Sequence, residues 1–558
     1  MTNYTTAQML APNTKVDKKD AKLVLANMIW VAFALLIGGT AGLLQTLVRS
    51  GHFELPFGIG YYQLLTLHGV ILALVMTFFF IMGFQIAALS RTSGPLNKKE
   101  RTLGWIGFWV MTIGTLMSAT MIALNEASVL YTFYAPLQAH VIHYIGLALV
   151  IVGTWISVAG QMMRYFRWRR ENKGQKTPLL SYMTAVNNLM WYVCTIGVAS
   201  TVLFQFVPWS LGLVETINIT LSRTLFWYFG HALVYFWLLP AYMVWYAVTP
   251  KILGAKGFSD NLARLSFVLF LFFSIPVGIH HQLVDPGIDA FWKGLQVVLT
   301  FMVIVPSLMT AFSMFAVFET YGRNKGATGL LDWFKKLPWT DARFVLLFIG
   351  MLFFIPGGLG GIINASGQMN QLVHNTIWIV GHFHITVGAP VILTYFAAMM
   401  FLLPHLTGRK IDKIANRLGL MLAYTWALGM GIMSAAMHFA GLRGAPRRST
   451  FSEYGGAEVA EEWITYQVMQ AVGGSFLFIA IIIAILLFLK LVTGPKVNDV
   501  EEFPVAEFMD QYDPAVKWVD NWRLLIIITA FLVLIAYTVP ITQMFTENIP
   551  GAKGFKLW

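Results

Sequence analysis

Long apolar stretches recur along the chain, and short polar or charged segments separate them. A helix needs about 20 mostly apolar residues to cross a bilayer. Lipid offers no partner to open backbone groups, and these stretches are too long and too uniformly apolar for barrel strands. The pattern therefore predicts an all-α membrane protein, a polytopic bundle of about thirteen transmembrane helices. The predicted spans are 23–47, 62–90, 103–124, 138–163, 186–208, 225–249, 264–282, 294–319, 344–364, 375–404, 418–440, 465–489 and 523–545.

Composition agrees with this pattern, because 57% of the 558 residues are hydrophobic and only 11% are charged. We expect a cytoplasmic tail at 1–22, a single transmembrane domain at 23–546 and a short outer tail at 547–558. The polar amino-terminal segment has no short apolar region followed by a small-residue cleavage site. No cleaved signal peptide is therefore predicted.

The formal net charge of +12 is explained by topology rather than by a nucleic-acid partner. With the amino terminus inside, 30 of the 38 Lys and Arg residues fall on the inner side of the predicted spans. Such a bias is typical of cytoplasmic loops, so we expect a cytoplasmic amino terminus.

Six of the twelve histidines fall within or at the edges of predicted spans. In this topology they lie in the outer half of the membrane, at depths that differ by roughly three helical turns or less. A lone histidine in a span is about as often a packing or cavity group as a ligand. Six at similar depth on four helices favour a shared metal site. They are His68, His231, His280, His281, His382 and His384.

The spacing of His382 and His384 separates their chemistry. At roughly 100° per residue the two side chains point about 200° apart, so they cannot easily bind the same ion. Each can instead be an axial ligand of a separate haem. His68, in "LTLHGVIL", is the natural second ligand of one haem, and we expect Gly69 to leave room for a planar cofactor.

His280 and His281 follow a helix-breaking sequence, "FFSIPVGIHHQ". Pro276 removes a helix hydrogen bond and Gly278 loosens the same turn. Adjacent side chains at such an end can converge on one ion. Together with His231 they predict a three-imidazole site that suits copper or zinc and leaves a position open for a small ligand.

Tyr235 follows His231 by four residues, on the same helix face and one turn deeper. A phenol next to a metal-bound imidazole can deliver a proton and an electron. Taken alone, the same spacing also fits an ordinary interior tyrosine.

Four motifs carry a family resemblance: "RTLFWYFGHALVYFWLLPAY", "SIPVGIHHQLVDPGID", "VPSLMTAF" and "VHNTIWIVGHFHITV". They resemble the catalytic subunit I of haem-copper terminal oxidases, specifically the B-family or cytochrome ba-type branch. The resemblance extends from about residue 60 to 450 and includes "LHGV", "NEASVLYTFY" and "GAPRRS". Thirteen spans are also expected of that branch.

The resemblance implies two haems and one copper ion, at which O2 is reduced to water with proton uptake from the cytoplasm and proton translocation. Electrons would pass from the low-spin to the high-spin haem. Tyr235 would be covalently linked to His231 and supply one electron and one proton. The implied ligands are His68 and His384 for the low-spin haem, His382 for the high-spin haem, and His231, His280 and His281 for copper.

Five hydroxyl groups would form the proton path of this family. Tyr235, Tyr242 and Tyr246 lie within about 20° of one helix face, and Ser307 and Thr310 share a face of a later span. Without the resemblance, helix packing would be the preferred explanation of all five.

The sequence also departs from related patterns. The glutamate that ends a second proton path in the A-family is absent from 232–234, so that path is not expected. A polar cluster at the haem propionates would comprise His374, Asn375, Arg447 and Arg448, while Asn370 stands where the ba-type pattern has an aspartate. Paired arginines suit propionate oxygens.

Two alternatives differ in chemistry. A nitric oxide reductase of the same superfamily uses non-haem iron, which favours an added carboxylate ligand that is missing near His231. A histidine-rich metal transporter would bind no haem.

Partners follow from the single cysteine, Cys194, which excludes a dinuclear copper centre formed by this chain alone. We expect electrons to enter through a subunit II carrying such a centre or another entry site, with a small single-span subunit as a further partner. The expected electron donor is cytochrome c or a similar small redox protein, with a quinol as the alternative. The expected location is the prokaryotic cell membrane, in contact with lipid, with the redox centres in its outer half.

Overall fold

A computed structural model describes residues 15–452, 454–514, 516–547 and 551–556. Thirteen helices, labelled α1 to α13 in chain order, form one bundle in these ranges. Their bounds are Lys18–Arg49, Tyr61–Ser93, Lys98–Ala123, Val141–Glu171, Leu179–Ser210, Ile219–Leu253, Asp260–Ser274, Ala290–Asn324, Ala342–Ala365, Trp378–Thr407, Lys413–Leu442, Glu458–Thr493 and Trp522–Thr546.

Twelve of these helices are long and apolar enough to cross a membrane, in the part of the chain that the structure describes. The exception is α7, which has 15 residues and ends before Pro276. A 3-10 turn at Gly278–Gln282 continues the seventh predicted span, because proline cannot donate the next helical hydrogen bond. The prediction of about thirteen transmembrane helices is therefore confirmed.

Shorter elements connect the bundle. Single helical turns lie at Pro56–Gly58, Asp332–Lys335 and Tyr454–Gly456, and a two-turn helix lies at Gly367–Val373. Two three-residue strands, Thr216–Asn218 (β1) and Gly551–Lys553 (β2), pair antiparallel with Thr216 opposite Lys553. The all-α fold class is confirmed, and this small ribbon in the described ranges was not predicted because three residues are too few to show a strand periodicity.

Polar residues fix where the helices begin. Asn97 accepts a hydrogen bond from the Glu100 backbone, and Glu100 in return accepts one from the Asn97 backbone, which forms a capping box at the start of α3. Asp17 and Asn521 cap α1 and α13 through the same kind of side-chain acceptor. These caps place the helix starts at the charged segments that interrupt the apolar pattern.

Glycines allow α3 and α4 to pack backbone to backbone. A Cβ at Gly114 would lie 2.5 Å from the Gly146 carbonyl oxygen, and one at Gly107 would lie 2.5 Å from the Gly153 oxygen. Small residues at such spacing are typical of tight helix pairs in membranes.

The centre of the bundle is formed by α2, α6 and α10. In their most apolar windows 72%, 89% and 83% of residues are buried, against 28% in the peripheral α13. Each of these three central helices carries at least one of the predicted histidine ligands. The fold therefore places the candidate site where lipid and bulk water have least access.

Candidate metal centre

One cavity of about 610 Å³ lies among the central helices. All six span histidines line it, together with Tyr235 and Ser307. A volume of this size is within the range of cofactor sites. Residues predicted separately from four stretches of sequence thus face one space.

His231, His280 and His281 converge on one point. Each offers a ring nitrogen, and the three nitrogens lie within 4.8 Å of one another. His231 Nδ1 is 3.1 Å from His281 Nε2. The other ring nitrogen of His231, Nε2, is buried and has no hydrogen-bond partner in the described chain. Tyr235 packs against the same imidazole, with the ring centroids 5.0 Å apart. Three imidazoles at this spacing can bind one copper or zinc ion.

The 3-10 turn at Gly278–Gln282 explains how adjacent histidines face the same point. The Gly278 backbone donates to the Tyr537 hydroxyl at 2.8 Å, and the Ile279 backbone donates to Gln296 Oε1 at 2.7 Å. A Cβ at Gly278 would lie 2.3 Å from the Trp227 carbonyl oxygen, so only glycine allows this approach to α6. The turn is thereby held against α6, the helix that carries His231.

Two further contacts orient the imidazoles of this turn. His280 Nδ1 lies 2.8 Å from the Thr300 hydroxyl on α8. The His281 ring stacks on Trp227, with centroids 3.7 Å apart and an angle of 6° between the planes. Such contacts fix ring orientation in metal sites and thereby decide which nitrogen faces the ion.

His68 and His384 form a second pair. Their rings are 6.2 Å apart between centroids and within 10° of parallel. His68 Nδ1 lies 2.9 Å from the Gly38 carbonyl and His384 Nδ1 lies 2.8 Å from the Val380 carbonyl. Because Nδ1 of each ring is already used, Nε2 is the nitrogen available for a ligand. Such an arrangement suits bis-imidazole haem ligation.

A π-helical segment lies at His384 and another lies close to His68. The first begins at His384 and extends to Gly388, and the second extends from Val70 to Met76, two residues after His68. Wider turns of this kind are frequent at functional sites because they redirect side chains within a continuous helix.

His382 faces a different neighbour from that of His384. Its Nδ1 is 3.1 Å from the Thr386 hydroxyl, and a Cβ at Gly360 of α9 would lie 2.6 Å from the same nitrogen. His384, by contrast, faces His68 of α2. The two histidines of α10 therefore contact different neighbours in the cavity.

A polar cluster borders the same cavity where α9 ends and α10 begins. His374 Nδ1 lies 3.2 Å from Asn370 Oδ1, and His374 Nε2 lies 3.9 Å from Asp285. Asp285 also pairs with Arg223 at 3.1 Å. Burial, helped by the nearby Arg447 charge, lowers the pKa of His374 to about 4. At neutral pH this imidazole is therefore uncharged.

Arg447 and Arg448 line the cavity beside this cluster. Arg447 donates to Asn375 Oδ1 at 2.8 Å, while its buried Nε has no hydrogen-bond partner in the described chain. Burial, and secondarily the Arg448 charge, lower the pKa of Arg447 to about 10. Arg448 lies over the Tyr134 ring at 4.6 Å. A half-buried guanidinium with an unused, buried Nε donor suits an anionic group such as a carboxylate. Asn375 itself does not line the cavity and contacts it through Arg447.

Comparison with known proteins decides the family. The sequence matches the family model for cytochrome c and quinol oxidase polypeptide I over residues 22–476. The chain belongs to this family. It is 39% identical to cytochrome c oxidase subunit 1 of Thermus thermophilus, over 97% of each chain. It is 22% identical to quinol oxidase subunit 1 of Bacillus subtilis, over 84% of this chain and 71% of that one.

A solved structure agrees with the sequence comparison. A cryo-EM structure of a heme-copper terminal oxidase dimer matches with a TM-score of 0.91 at 36% identity, over 96% of this chain and 95% of that chain. The predicted membership of the B-family of haem-copper oxidases, as catalytic subunit I, is confirmed. The chain is a membrane-embedded oxidoreductase subunit. These relatives give no support to the nitric oxide reductase or transporter alternatives.

Haems and copper are the groups that this oxidase family implies. The donor sets fit them. The His231, His280 and His281 nitrogens lie close to one another, as copper requires, and the parallel His68 and His384 rings line one cavity with their Nδ1 atoms already bonded to carbonyls.

Hydroxyl groups predicted for the oxidase proton path are only partly connected. Tyr246 donates to Thr310 at 3.0 Å. The Tyr242 hydroxyl is buried without a hydrogen-bond partner in the described chain. Ser307 lines the cavity with Tyr235 but donates its own hydrogen to the Val303 carbonyl at 3.0 Å. In the described chain, Tyr246 and Thr310 are therefore the only two of the five groups that hydrogen-bond to each other, and a gap separates them from Tyr235.

Several residues of this oxidase site have no signal in the sequence. Ser266 is a further hydroxyl group beside this pair, with its oxygen 3.2 Å from the Thr310 hydroxyl. Gly42 admits the His68 ring, since a Cβ there would lie 2.6 Å from His68 Nδ1. Gly69 does not provide the room expected for a cofactor. A Cβ at Gly69 would lie 2.8 Å from the Tyr131 side chain, so that space is already filled.

Proposed function

We propose that this chain reduces O2 to water in a proton-translocating respiratory oxidase, with two haems and one copper ion bound by the six cavity histidines. The observation that carries the proposal is the convergence of the His231, His280 and His281 nitrogens within 4.8 Å in the cavity that His382 also lines. When bound, the haems and copper supply electron transfer and the binding of O2.

His231, His280 and His281 would hold copper, and His382 would hold the high-spin haem. His68 and His384 would hold the low-spin haem. Carbonyl oxygens accept from the Nδ1 side of both low-spin ligands, which supports Nε2 as the ligating atom. Thr300 and Trp227 would position the copper ligands, through the hydroxyl contact and the stacked ring described above.

Tyr235 would donate its phenolic proton within the cavity. The hydroxyl-bearing ring lies beside His231, whose Nε2 has no other partner in the described chain. That unpartnered nitrogen is the atom available for a covalent link to Tyr235, and its isolation supports the link that the family resemblance implies.

Protons would reach Tyr235 from the cytoplasmic side through Thr310, Tyr246, Tyr242 and Ser307, with Ser266 as an added member. The Tyr246–Thr310 hydrogen bond supports the entry half of this path. A buried hydroxyl without a protein partner favours an ordered water, so we place a bridging water at Tyr242.

Arg447 and Arg448 would bind haem propionates, with His374 and Asn375 orienting them. The buried, unused Nε donor of Arg447 supports this role. The aspartate expected at 370 is an asparagine, and its amide oxygen still accepts from His374 Nδ1 at 3.2 Å without adding a charge. The exit proton would therefore be held with one carboxylate fewer, leaving Asp285 as the acid beside His374.

The membrane orientation follows from charge. We infer a prokaryotic cell membrane, a cytoplasmic amino terminus and redox centres in the outer half, because most Lys and Arg residues lie at the end of the bundle away from the histidines. The single cysteine is buried in α5, so a dinuclear copper centre would belong to a subunit II. Cytochrome c is the preferred donor over a quinol, since the relative at 39% identity is a cytochrome c oxidase subunit.

A pyridine haemochrome spectrum combined with metal analysis tests the proposal. We expect two haems and one copper per chain in the purified complex. Copper should be lost selectively in His281→Ala, while both haem bands remain. Iron without copper would favour a reductase, and the absence of Soret and α bands would contradict the oxidase function.

A further inference from the structure

A second pocket, separate from the histidine cavity, lies where the carboxyl end of α4 meets the start of α13. We propose that it binds the phosphate and one acyl chain of an anionic phospholipid at the inner membrane surface. The inference concerns neither the redox centre nor the proton path. It rests on an ordered change of polarity along α4 and on three cations without acidic partners.

The polarity of α4 changes along one face. Ala159, Met162, Met163 and Phe166 line the space first, and Arg170 follows one turn later. These positions are separated by three or four residues, which places them in one stripe of the helix. From Ala159 to Arg170 the helix rises about 16 Å. A phospholipid has the same order, with an apolar chain leading to a charged phosphate.

Two of the cations in this space already have acidic partners. Arg167 contacts Glu100 at 2.8 Å and Arg169 contacts Asp520 at 2.9 Å. These pairs join α4 to α3 and to the segment before α13. Glu100 and Asp520 are the two carboxylates that line the space, so both are already paired.

Three other cations remain. Arg170, Lys173 and Arg523 also line the space, and they make no ion pair or side-chain hydrogen bond within the described ranges. All three side chains are exposed. Because Arg170 and Lys173 lie at and just after the end of α4 and Arg523 lies at the start of α13, all lining the same opening, they can surround one anion. The local charge is therefore unbalanced in favour of a negative ligand.

The location favours a lipid over a soluble anion. Trp522 lies at the first turn of α13, buried beside Phe166 with the ring centroids 6.0 Å apart. Tryptophan is enriched where helices leave the hydrocarbon for the headgroup layer. Basic pockets between transmembrane helices at the cytoplasmic side typically bind acidic headgroups. A free phosphate would leave the apolar stripe at Met162 and Met163 without an occupant.

The test compares three forms of the purified complex after delipidation. They are the wild type, the triple variant Arg170→Gln, Lys173→Gln, Arg523→Gln, and a matched control, Lys325→Gln, Lys335→Gln, Lys336→Gln, which removes three cations from another inner loop. Binding of phosphatidylglycerol and of phosphatidylcholine is measured by native mass spectrometry in mixed micelles. The haem spectrum checks that each form is folded.

We expect phosphatidylglycerol affinity to fall about 100-fold in the triple variant, because each cation near an acidic lipid contributes roughly fivefold. The control should bind as the wild type does, and phosphatidylcholine should bind weakly to all three forms. Equal phosphatidylglycerol binding by the wild type and the triple variant would overturn the proposal.

Two arms separate a lipid from a free anion. Excess inorganic phosphate should not displace phosphatidylglycerol from the wild type, since it cannot occupy the apolar stripe. Ala159→Trp should weaken phosphatidylglycerol binding with all three cations intact, because the larger ring fills the acyl region. Displacement by phosphate, or unchanged binding in Ala159→Trp, would contradict the lipid assignment.

Discussion

His68 and His384 present parallel imidazoles across the central cavity, 6.2 Å apart between ring centroids. Each ring is fixed through Nδ1 by a backbone carbonyl, that of Gly38 on α1 and that of Val380 on α10. Backbone carbonyls cannot change rotamer, so the two Nε2 atoms are held in place before any ligand binds. We infer that the low-spin haem enters a preorganised site, which reduces the conformational entropy lost on binding.

Removing one of these imidazoles should affect one haem only. In His384→Ala the low-spin haem loses an axial ligand, so we expect its α band to be lost or shifted and the high-spin signal to remain. Visible and electron paramagnetic resonance spectra measure both. His143→Ala is a matched control, because this buried histidine of α4 contacts the Ser118 hydroxyl of α3 at 3.0 Å and does not line the cavity. Equal spectral changes in the two variants would argue against the assigned ligand.

Tyr235→Phe removes only the phenol oxygen. We expect oxygen turnover to fall at least about 100-fold, the usual effect of losing a positioned proton donor, while both haem bands stay largely intact. Oxygen consumption and optical spectra provide the measurement. Tyr395→Phe is the control, since this buried tyrosine bonds to the Trp237 carbonyl at 2.9 Å and lies outside the cavity. Normal turnover in Tyr235→Phe would refute the proposed role.

The spans and the histidine clusters are predictable because their signals are local. Apolar length reports burial in lipid, and the helical angle between His382 and His384 depends only on their separation in sequence. The break before His280 is equally local, since Pro276 interrupts the helix in any tertiary context. These features required no knowledge of which helices are neighbours.

The contacts that orient the ligands could not be predicted, because they join helices that are distant in sequence. Thr300 and Gln296 lie on α8 and give no motif, yet they contact His280 and Ile279. Hydropathy places Arg49 among outer-loop charges, whereas it is buried, lines the cavity and donates to the Pro446 carbonyl at 2.6 Å. A loop that folds back over the helix end hides this side chain, and hydropathy cannot report such a fold.

The gap in the hydroxyl path has another physical reason. Helical spacing correctly places Ser307 and Thr310 one turn apart, but it cannot fix the direction of a hydroxyl group. Both hydroxyls donate back to their own helix, to Val303 and Pro306. Such bonds to the preceding turn are common for Ser and Thr in helices and compete with an outward chain.

Acidification should destabilise the protein partly through His374. Its pKa is about 4 in the folded chain and near 6.5 when unfolded, so the unfolded state binds the proton first. Stability is therefore fully present above pH 6.5 and decreases until about pH 4. We expect the wild type to lose roughly 1 to 2 kcal/mol more than His374→Gln between pH 7.5 and pH 5. Thermal loss of the haem spectrum measures the difference.

Asn370→Asp supplies the control for this pH effect. A carboxylate at the position of the Asn370 oxygen, 3.2 Å from His374 Nδ1, would favour the imidazolium and raise the pKa of His374. The variant should therefore lose less stability on acidification than the wild type. Identical pH dependence in the wild type, His374→Gln and Asn370→Asp would show that His374 does not titrate as described.

Thr310→Val tests the entry half of the hydroxyl path. The substitution keeps the shape of the side chain and removes the acceptor of the Tyr246 hydrogen bond. We expect steady-state turnover to fall by about tenfold, corresponding to one lost hydrogen bond in the proton-transfer step. Reduction of the low-spin haem should keep its rate, because that step needs no proton from this path. Stopped-flow spectra of haem reduction, set beside oxygen consumption, separate the two rates.

Thr394→Val is the matched control, since its hydroxyl accepts from Trp245 at 2.9 Å and has no place in the path. Slow haem reduction in Thr310→Val, or an equal loss of turnover in Thr394→Val, would point to a packing defect instead of a broken proton path.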